Sequence, residues 1–143
     1  MSDVPVGQWR QPGISSVGQY QISGTPWVTG SSNLDGGAED EISLPYVSSY
    51  VEVRLGPASL GNPANVVNIA FAASGSGDVI AGRHMIQLDA SLPSWSANVK
   101  CTKLYISNPG ANNNLDYSVF AALTGIPGGQ MWHLTGTGIT ELA

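Results

Sequence analysis

The chain has 143 residues, a formal net charge of −5 and a single cysteine. Its length is typical of one domain, and its five basic side chains form no run of the kind that binds a phosphate backbone. Only 10% of the residues are charged, while 18 glycines and 9 prolines supply turns. Nucleic-acid binding is therefore excluded as the main function, and strands joined by short turns are favoured over helices.

The single cysteine, Cys101, permits no disulfide within the chain, which is typical of folding in a reducing compartment. The N-terminus lacks the basic stretch and apolar core of a secretory signal, and no apolar run has membrane-spanning length. We therefore expect neither export nor a membrane partner. The low charge suits a protein that remains in contact with other protein, because free monomers usually carry a well-charged surface.

Residues 1–16 are predicted to form an extended N-terminal arm, because glycine and proline interrupt them repeatedly. A tail that needed only solvation would not carry Trp9, which either folds back on its own domain or packs on a neighbour. A β-sandwich domain is expected to span residues 17–143. Within it, apolar and polar residues alternate from residue 17, and residues 30–41 are predicted to be a polar, acidic loop.

Several further stretches alternate with the period of two that is typical of strands. They are residues 42–44, 46–55, 65–73, 84–89 and 116–123. In the clearest, residues 46–55, one face carries Val47, Val51, Val53 and Leu55. In residues 116–123, one face carries Tyr117, Val119, Ala121 and Leu123.

The stretch 94–107 changes its apolar face near Lys100, which predicts a bulge or a turn at that point. A Gly-rich tail is expected from about residue 124. Together the pattern predicts an all-β fold, an antiparallel β-sandwich or jelly roll of seven to nine strands, and leaves these two topologies open.

The residues that could carry catalysis do not form a recognisable constellation. The two histidines, His84 and His133, are far apart in sequence, and no serine lies in a GxSxG elbow. Lys100 and Lys103 flank Cys101 and would lower its thiol pKa, but a position in a strand favours a small buried hydrophobic residue. We therefore expect no enzyme, no catalytic residue and no cofactor.

Two other groups of residues suggest ligand binding. The predicted loop at 30–41 is a candidate cation-binding loop, whose acidic residues are Asp35, Glu39, Asp40 and Glu41. Carboxylates on a Gly-bearing loop can bind calcium, although the spacing is not that of an EF-hand, and a solvated loop is the alternative. Four tryptophans also suggest sugar stacking, although tryptophan lies more often in a core or an interface.

The order of segments from residue 42 onward resembles that of small virion proteins. The segments are ISLPYVSSYVEVRL, NVKCTKLYIS and DYSVFAALTGIPGGQMWHLTGTGITE. They resemble head-decoration, or cement, proteins of tailed bacteriophages, and the resemblance covers about two-thirds of the chain. It implies a β-sandwich or jelly roll on the capsid surface, folded in the host cytoplasm. Such a protein would bind the major capsid protein and further copies of itself, as a dimer or trimer.

We therefore expect a virion structural protein that binds through its two ends. The candidate interface residues of the arm and tail are Trp9, Ile14, Met131, Trp132 and Leu134. Extended segments of this kind can add strands to neighbouring sheets. The alternative is a carbohydrate- or receptor-binding module of a phage head fibre or tail.

Overall fold

The structure is a computed structural model, which describes residues 24–73, 85–135 and 138–142. The segments 132–135 and 138–142 are described by their backbone alone. Strands are the dominant element of these ranges. They are β1 (Thr25–Leu34), β2 (Glu39–Ser43), β3 (Tyr46–Leu55), β4 (Val67–Ala70), β5 (Ile86–Leu88), β6 (Ser94–Ala97), β7 (Lys103–Ser107), β8 (Leu115–Pro127), β9 (Trp132–Thr135) and β10 (Gly138–Leu142). A short helix, α1 (Pro57–Leu60), follows β3, and a 3₁₀ turn (Gly128–Gln130) follows β8.

The described strands form two four-stranded antiparallel sheets and a separate hairpin. Sheet A has the order β1-β8-β3-β6, sheet B has the order β2-β7-β4-β5, and β9 pairs with β10. Buried residues of both sheets belong to one apolar cluster, so the two sheets pack face to face. This confirms the predicted all-β sandwich, with eight strands in the two sheets.

The strand pairing also decides between the two predicted topologies. The first four strands pair with the last four in reverse order: β1 with β8, β2 with β7, β3 with β6 and β4 with β5. The chain is thus one long antiparallel ribbon, which is rolled up so that β8 also pairs with β3 and β7 with β4. Eight strands wound in this way form a jelly roll.

The core is built from alternate residues of the central strands. Val51 and Val53 of β3 and Val119 of β8 point inward from sheet A and are completely buried. Leu104 and Ile106 of β7 meet them from sheet B and are equally buried. The predicted inward faces of residues 46–55 and 116–123 are therefore confirmed.

The prediction of a loop through residues 30–41 is wrong. β1 continues to Leu34 and β2 starts at Glu39, so a short turn replaces the long loop. Glycine lies inside β1 because the strands approach closely: a Cβ at Gly30 would come within 2.6 Å of the Tyr117 carbonyl oxygen. In the turn itself, Gly37 adopts a φ of +79°, which glycine tolerates best.

The expected Gly-rich tail begins later than predicted, because β8 continues to Pro127. Thr124 donates a hydrogen bond from its hydroxyl to the carbonyl of Val47 (2.7 Å), and Ile126 is completely buried. These contacts hold the end of β8 against β3. The backbone beyond it forms the β9–β10 hairpin.

The change of apolar face near Lys100 is explained by a crossing between sheets. β6 belongs to sheet A and β7 to sheet B, so the inward side of the chain changes between them. Cys101 lies completely buried in this crossing, where its N–H donates to the hydroxyl of Ser48 (3.1 Å). That hydroxyl donates in turn to the carbonyl of Val99 (2.6 Å). Burial raises the pKa of the Cys101 thiol, which suits a core residue.

The central position of β7 in the core generates a prediction about stability. Ile106→Ala should lower the free energy of unfolding by about 2–5 kcal/mol, because it leaves a cavity between the sheets. Leu92→Ala is the matched control, since Leu92 is 52% exposed and its truncation should change stability by about 0.5 kcal/mol or less. Urea unfolding measures both values. Equal losses in the two variants would contradict the assignment of the core.

Candidate interaction surface

The outer face of sheet B is polar. Glu41 of β2 and Lys103 of β7 form an ion pair across the strands, with Oε2 and Nζ 3.2 Å apart. Further along, the side-chain amide of Gln87 donates to Asn68 (3.0 Å). Charged and amide groups that pair with each other at the surface are typical of a face in contact with water.

The outer face of sheet A carries large apolar and aromatic side chains instead. Val28 of β1 lies directly opposite Phe120 of β8, and they are 68% and 36% exposed. Tyr50 of β3 lies on the same face, and its ring meets that of Phe120 edge to face with centroids 6.1 Å apart. We call these three residues, Val28, Tyr50 and Phe120, the apolar patch.

The strand pattern explains why the patch faces outward. In β8, Tyr117, Val119 and Ala121 all point into the core, so Phe120 between them must point away from it. The register of β1 and β3 against β8 then brings Val28 and Tyr50 beside that ring. The patch therefore depends on the pairing of three strands and not on any one segment.

The charged residues beside the patch neutralise each other. Glu52 of β3 lies opposite Phe120 and forms an ion pair with Arg54 on the same strand. The hydroxyl of Tyr50 donates to the other oxygen of Glu52 (3.2 Å). Because the carboxylate already has protein partners, covering this face leaves neither charge unpaired, which lowers the cost of desolvation.

Two shallow depressions extend the surface along sheet A. One, of about 380 Å³, is lined by Val28, Phe120 and the Glu52–Arg54 pair. The second, of about 410 Å³, shares Arg54 with the first and continues to Leu60 of α1. The outer face of sheet A is therefore uneven, and apolar side chains alternate with the Glu52–Arg54 pair and Ser118 from β1 to α1.

The predicted interface residues of the arm and tail differ in where they lie in the structure. Trp9 and Ile14 lie outside the described residues, so their role stays a prediction. Met131 is only 4% exposed, so it is not an adhesive side chain at the surface of the chain. Trp132 and Leu134 lie in β9, where their backbones pair with residues of β10.

The four acidic residues of the candidate cation-binding loop are not brought together. Asp35 lies in the β1–β2 turn and accepts a hydrogen bond from the N–H of Asn114 (3.3 Å). Glu41 pairs with Lys103 on the outside of sheet B, while Asp40 accepts from the hydroxyl of Tyr117. Glu39 shares one face of β2 with Glu41, and strand alternation places Asp40 on the other face. In the described ranges, no three His, Cys, Asp or Glu side chains converge to hold a metal.

The described histidines and tryptophans form neither a catalytic site nor a sugar-binding site. His84 lies outside the described residues, and His133 belongs to β9. Trp27 and Trp95 are half-buried and pack against the core, Trp95 edge to face with Phe71 (6.2 Å). Neither ring is a free platform for a sugar. In the part of the chain that is described, no helix is long and apolar enough to span a bilayer.

Sequence reasoning missed the apolar patch, although one indication of it was present. The prediction that Tyr117 and Val119 point inward already places Phe120 on the outer face. An aromatic residue on the outer face of a strand is an informative exception, because polar residues are usual there. The predicted inward face of residues 46–55 places Tyr50 on the outer face in the same way. Only the register, however, brings Val28 and Tyr50 beside Phe120.

Comparisons with known proteins assign no family. No protein-family model matches the sequence, and no curated protein shows significant similarity to it. Among solved structures, the chain is similar to IMPa from Pseudomonas aeruginosa, solved in complex with an O-glycopeptide, with a TM-score of 0.37 and 15% sequence identity. That match covers 85% of this chain but spans only 15% of the IMPa chain.

One polar contact links the two sheets and generates a second prediction. Tyr117 of β8 is buried, and its hydroxyl donates to Oδ2 of Asp40 on β2 (2.6 Å). Burial raises the pKa of the Tyr117 phenol well above its usual range, and the hydrogen bond and negative charge of Asp40 add to this rise. Tyr117→Phe should lower the free energy of unfolding at neutral pH by about 2 kcal/mol.

The same shift fixes how this loss depends on pH. Because the folded-state pKa is raised, the contribution of Tyr117 is fully present below about pH 10 and is lost as pH rises toward the folded-state value. The stability difference between wild type and Tyr117→Phe should therefore be constant from neutral pH upward and shrink above about pH 10. Denaturant titrations at several pH values measure it, with Tyr46→Phe, at an exposed tyrosine, as control. A difference that grows with alkaline pH would contradict the assignment.

Proposed function

We propose that this chain is a structural protein of a virion, which decorates the capsid by binding the major capsid protein through the outer face of sheet A. The observation that carries the proposal is the contrast between the two outer faces. The outer face of sheet B carries paired polar groups and the half-buried ring of Tyr105, whereas that of sheet A carries Val28, Tyr50 and Phe120 side by side next to a neutralised ion pair. Interfaces favour this second composition, aromatic residues with few unpaired charges.

The apolar patch has the features of a binding centre. Isolated exposed apolar residues are normal on any protein, but here three lie side by side across three strands. Aromatic residues near the middle of an interface carry a large share of binding energy once water is excluded around them. The rigid sheet beneath them reduces the entropy that is lost on binding.

The mechanism we propose needs no chemistry, only preferential binding. A protein that binds the assembled shell better than its separate subunits shifts the assembly equilibrium toward the shell. Repeated copies on neighbouring capsomers would add their contributions, and the chain's low charge limits repulsion between them. In this proposal the arm, with Trp9 and Ile14, supplements the patch by reaching neighbouring subunits.

A carbohydrate-binding module is the second candidate, and one observation favours it. The half-exposed ring of Phe120 borders a shallow depression that also contains Glu52 and Arg54, and sugar sites combine a stacking ring with polar groups. Jelly rolls also serve as lectin domains. Binding of the isolated chain to a broad glycan array would support this candidate, and no binding would count against it.

The proposal predicts unequal effects of substitutions on the two faces. Phe120→Ser should weaken binding to shells of the major capsid protein by about 30-fold or more, which corresponds to about 2 kcal/mol. Tyr105→Ser removes a half-buried aromatic ring from the opposite sheet and is the control, with an expected change of about threefold or less. Cosedimentation with shells measures both, after unfolding curves have shown that the variants are folded. Wild-type binding by Phe120→Ser would contradict the proposal.

A further inference from the structure

The two sheets present four edge strands in the described part of the chain. They are β1 and β6 in sheet A, and β2 and β5 in sheet B. An edge strand exposes unpaired backbone N–H and C=O groups, which can pair with a strand from another chain. Natural proteins protect such edges by making them short or by placing charges on them.

Three of the four edges carry this protection, whereas β1 does not. β5 and β6 have only three and four residues, and β2 carries the acidic residues Glu39, Asp40 and Glu41. β1 has ten residues, TPWVTGSSNL, and none of them is ionisable. Its only proline, Pro26, is the second residue, so the rest of the strand keeps every backbone N–H.

We propose that the edge of β1, which has no partner strand within residues 24–73, 85–135 and 138–142, pairs antiparallel with β1 of a second copy of this chain and joins the two copies of sheet A into one continuous sheet. This inference goes beyond the proposed function, because it requires no capsid protein. In a symmetric strand pair, the same segment of each copy lies beside the other, so a charged strand would face like charges. A strand without charged residues avoids this repulsion and can pair with itself. The same arrangement at β2 would place acidic residues against acidic residues.

The side chains of β1 suit a symmetric pair. When the two-fold axis of an antiparallel strand pair passes through a residue, each residue lies opposite a residue an even number of positions away in the sequence. Opposed side chains therefore point to the same face of the joined sheet, so the two outer faces form one outer face. An axis at Thr29 places Val28 opposite the partner's Gly30, whose missing side chain leaves room for it. Val28 is 68% exposed in the single chain, so this pairing covers a prominent apolar side chain. A register shift between Ser31 and Leu34 limits regular pairing to the first part of the strand.

The first test is the mass of the full chain in solution. Light scattering coupled to size-exclusion chromatography should give twice the 14.8 kDa of one chain, with a return to 14.8 kDa on dilution. A mass of one chain at every concentration would overturn the inference. So would a chain that is monomeric when complete and dimeric only after deletion of residues 1–16, since its own N-terminal segment would then cover the edge.

The second test locates the contact by disulfide cross-linking. The single native cysteine is buried, so the wild-type chain provides the blank. Thr29→Cys, at the position that the axis places opposite its own copy, should form a covalent dimer about tenfold faster or more than Ser94→Cys, which marks the opposite edge of sheet A. Gly30 is left unchanged because a side chain there would collide with β8. Cross-linking through Ser94→Cys that is as fast as through Thr29→Cys, or faster, would overturn the inference.

The two proposals fail in different ways. Phe120 lies on β8 and contributes no backbone group to the outer edge of β1, so Phe120→Ser should lose shell binding while the chain keeps its dimer mass. A wild-type dimer that cross-links through β1 but binds no shell supports this inference and contradicts the proposed function. A monomer that binds shells contradicts this inference alone.

Discussion

Strand β8 pairs with β1 on one side and with β3 on the other, and both surfaces of sheet A depend on this double pairing. On the inner side it supplies Tyr117 and Val119 to the core, and Tyr117 also reaches Asp40 in sheet B. On the outer side, the same alternation exposes Phe120 and brings Val28 and Tyr50 beside it. The strand that holds the jelly roll together therefore also positions the apolar patch.

Much of the fold was predictable because the central strands are amphipathic with a strict period of two. The bounds of β3 agree with the predicted stretch 46–55, and the change of face near Lys100 marks the crossing from β6 to β7. The pattern failed at residues 30–34, where glycine, serine and asparagine are typical of a loop, but Gly30, Ser31 and Leu34 pair with β8. Local composition indicates turns, whereas this part of β1 is held by residues more than 80 positions away.

The candidate surface was less predictable than the core. A core residue is recognised from its own strand, because neighbouring inward positions are also apolar. The patch consists of single outward residues on three strands, and their proximity follows only from the register between the strands. The unprotected edge of β1 likewise follows from the strand order, which places β1 at the border of sheet A. The sequence predicted adhesion at the two ends of the chain, whereas the described residues place an apolar surface on sheet A.

The proposed function requires that other protein covers the outer face of sheet A in the assembled particle, while the outer face of sheet B stays in water. Hydroxyl-radical footprinting of the free chain and of the chain bound to capsids tests it most directly. Phe120 and Tyr50 should lose most of their reactivity on binding, whereas Tyr105 on the outer face of sheet B should keep its own. Equal protection of both faces, or protection of Tyr105 alone, would contradict the account.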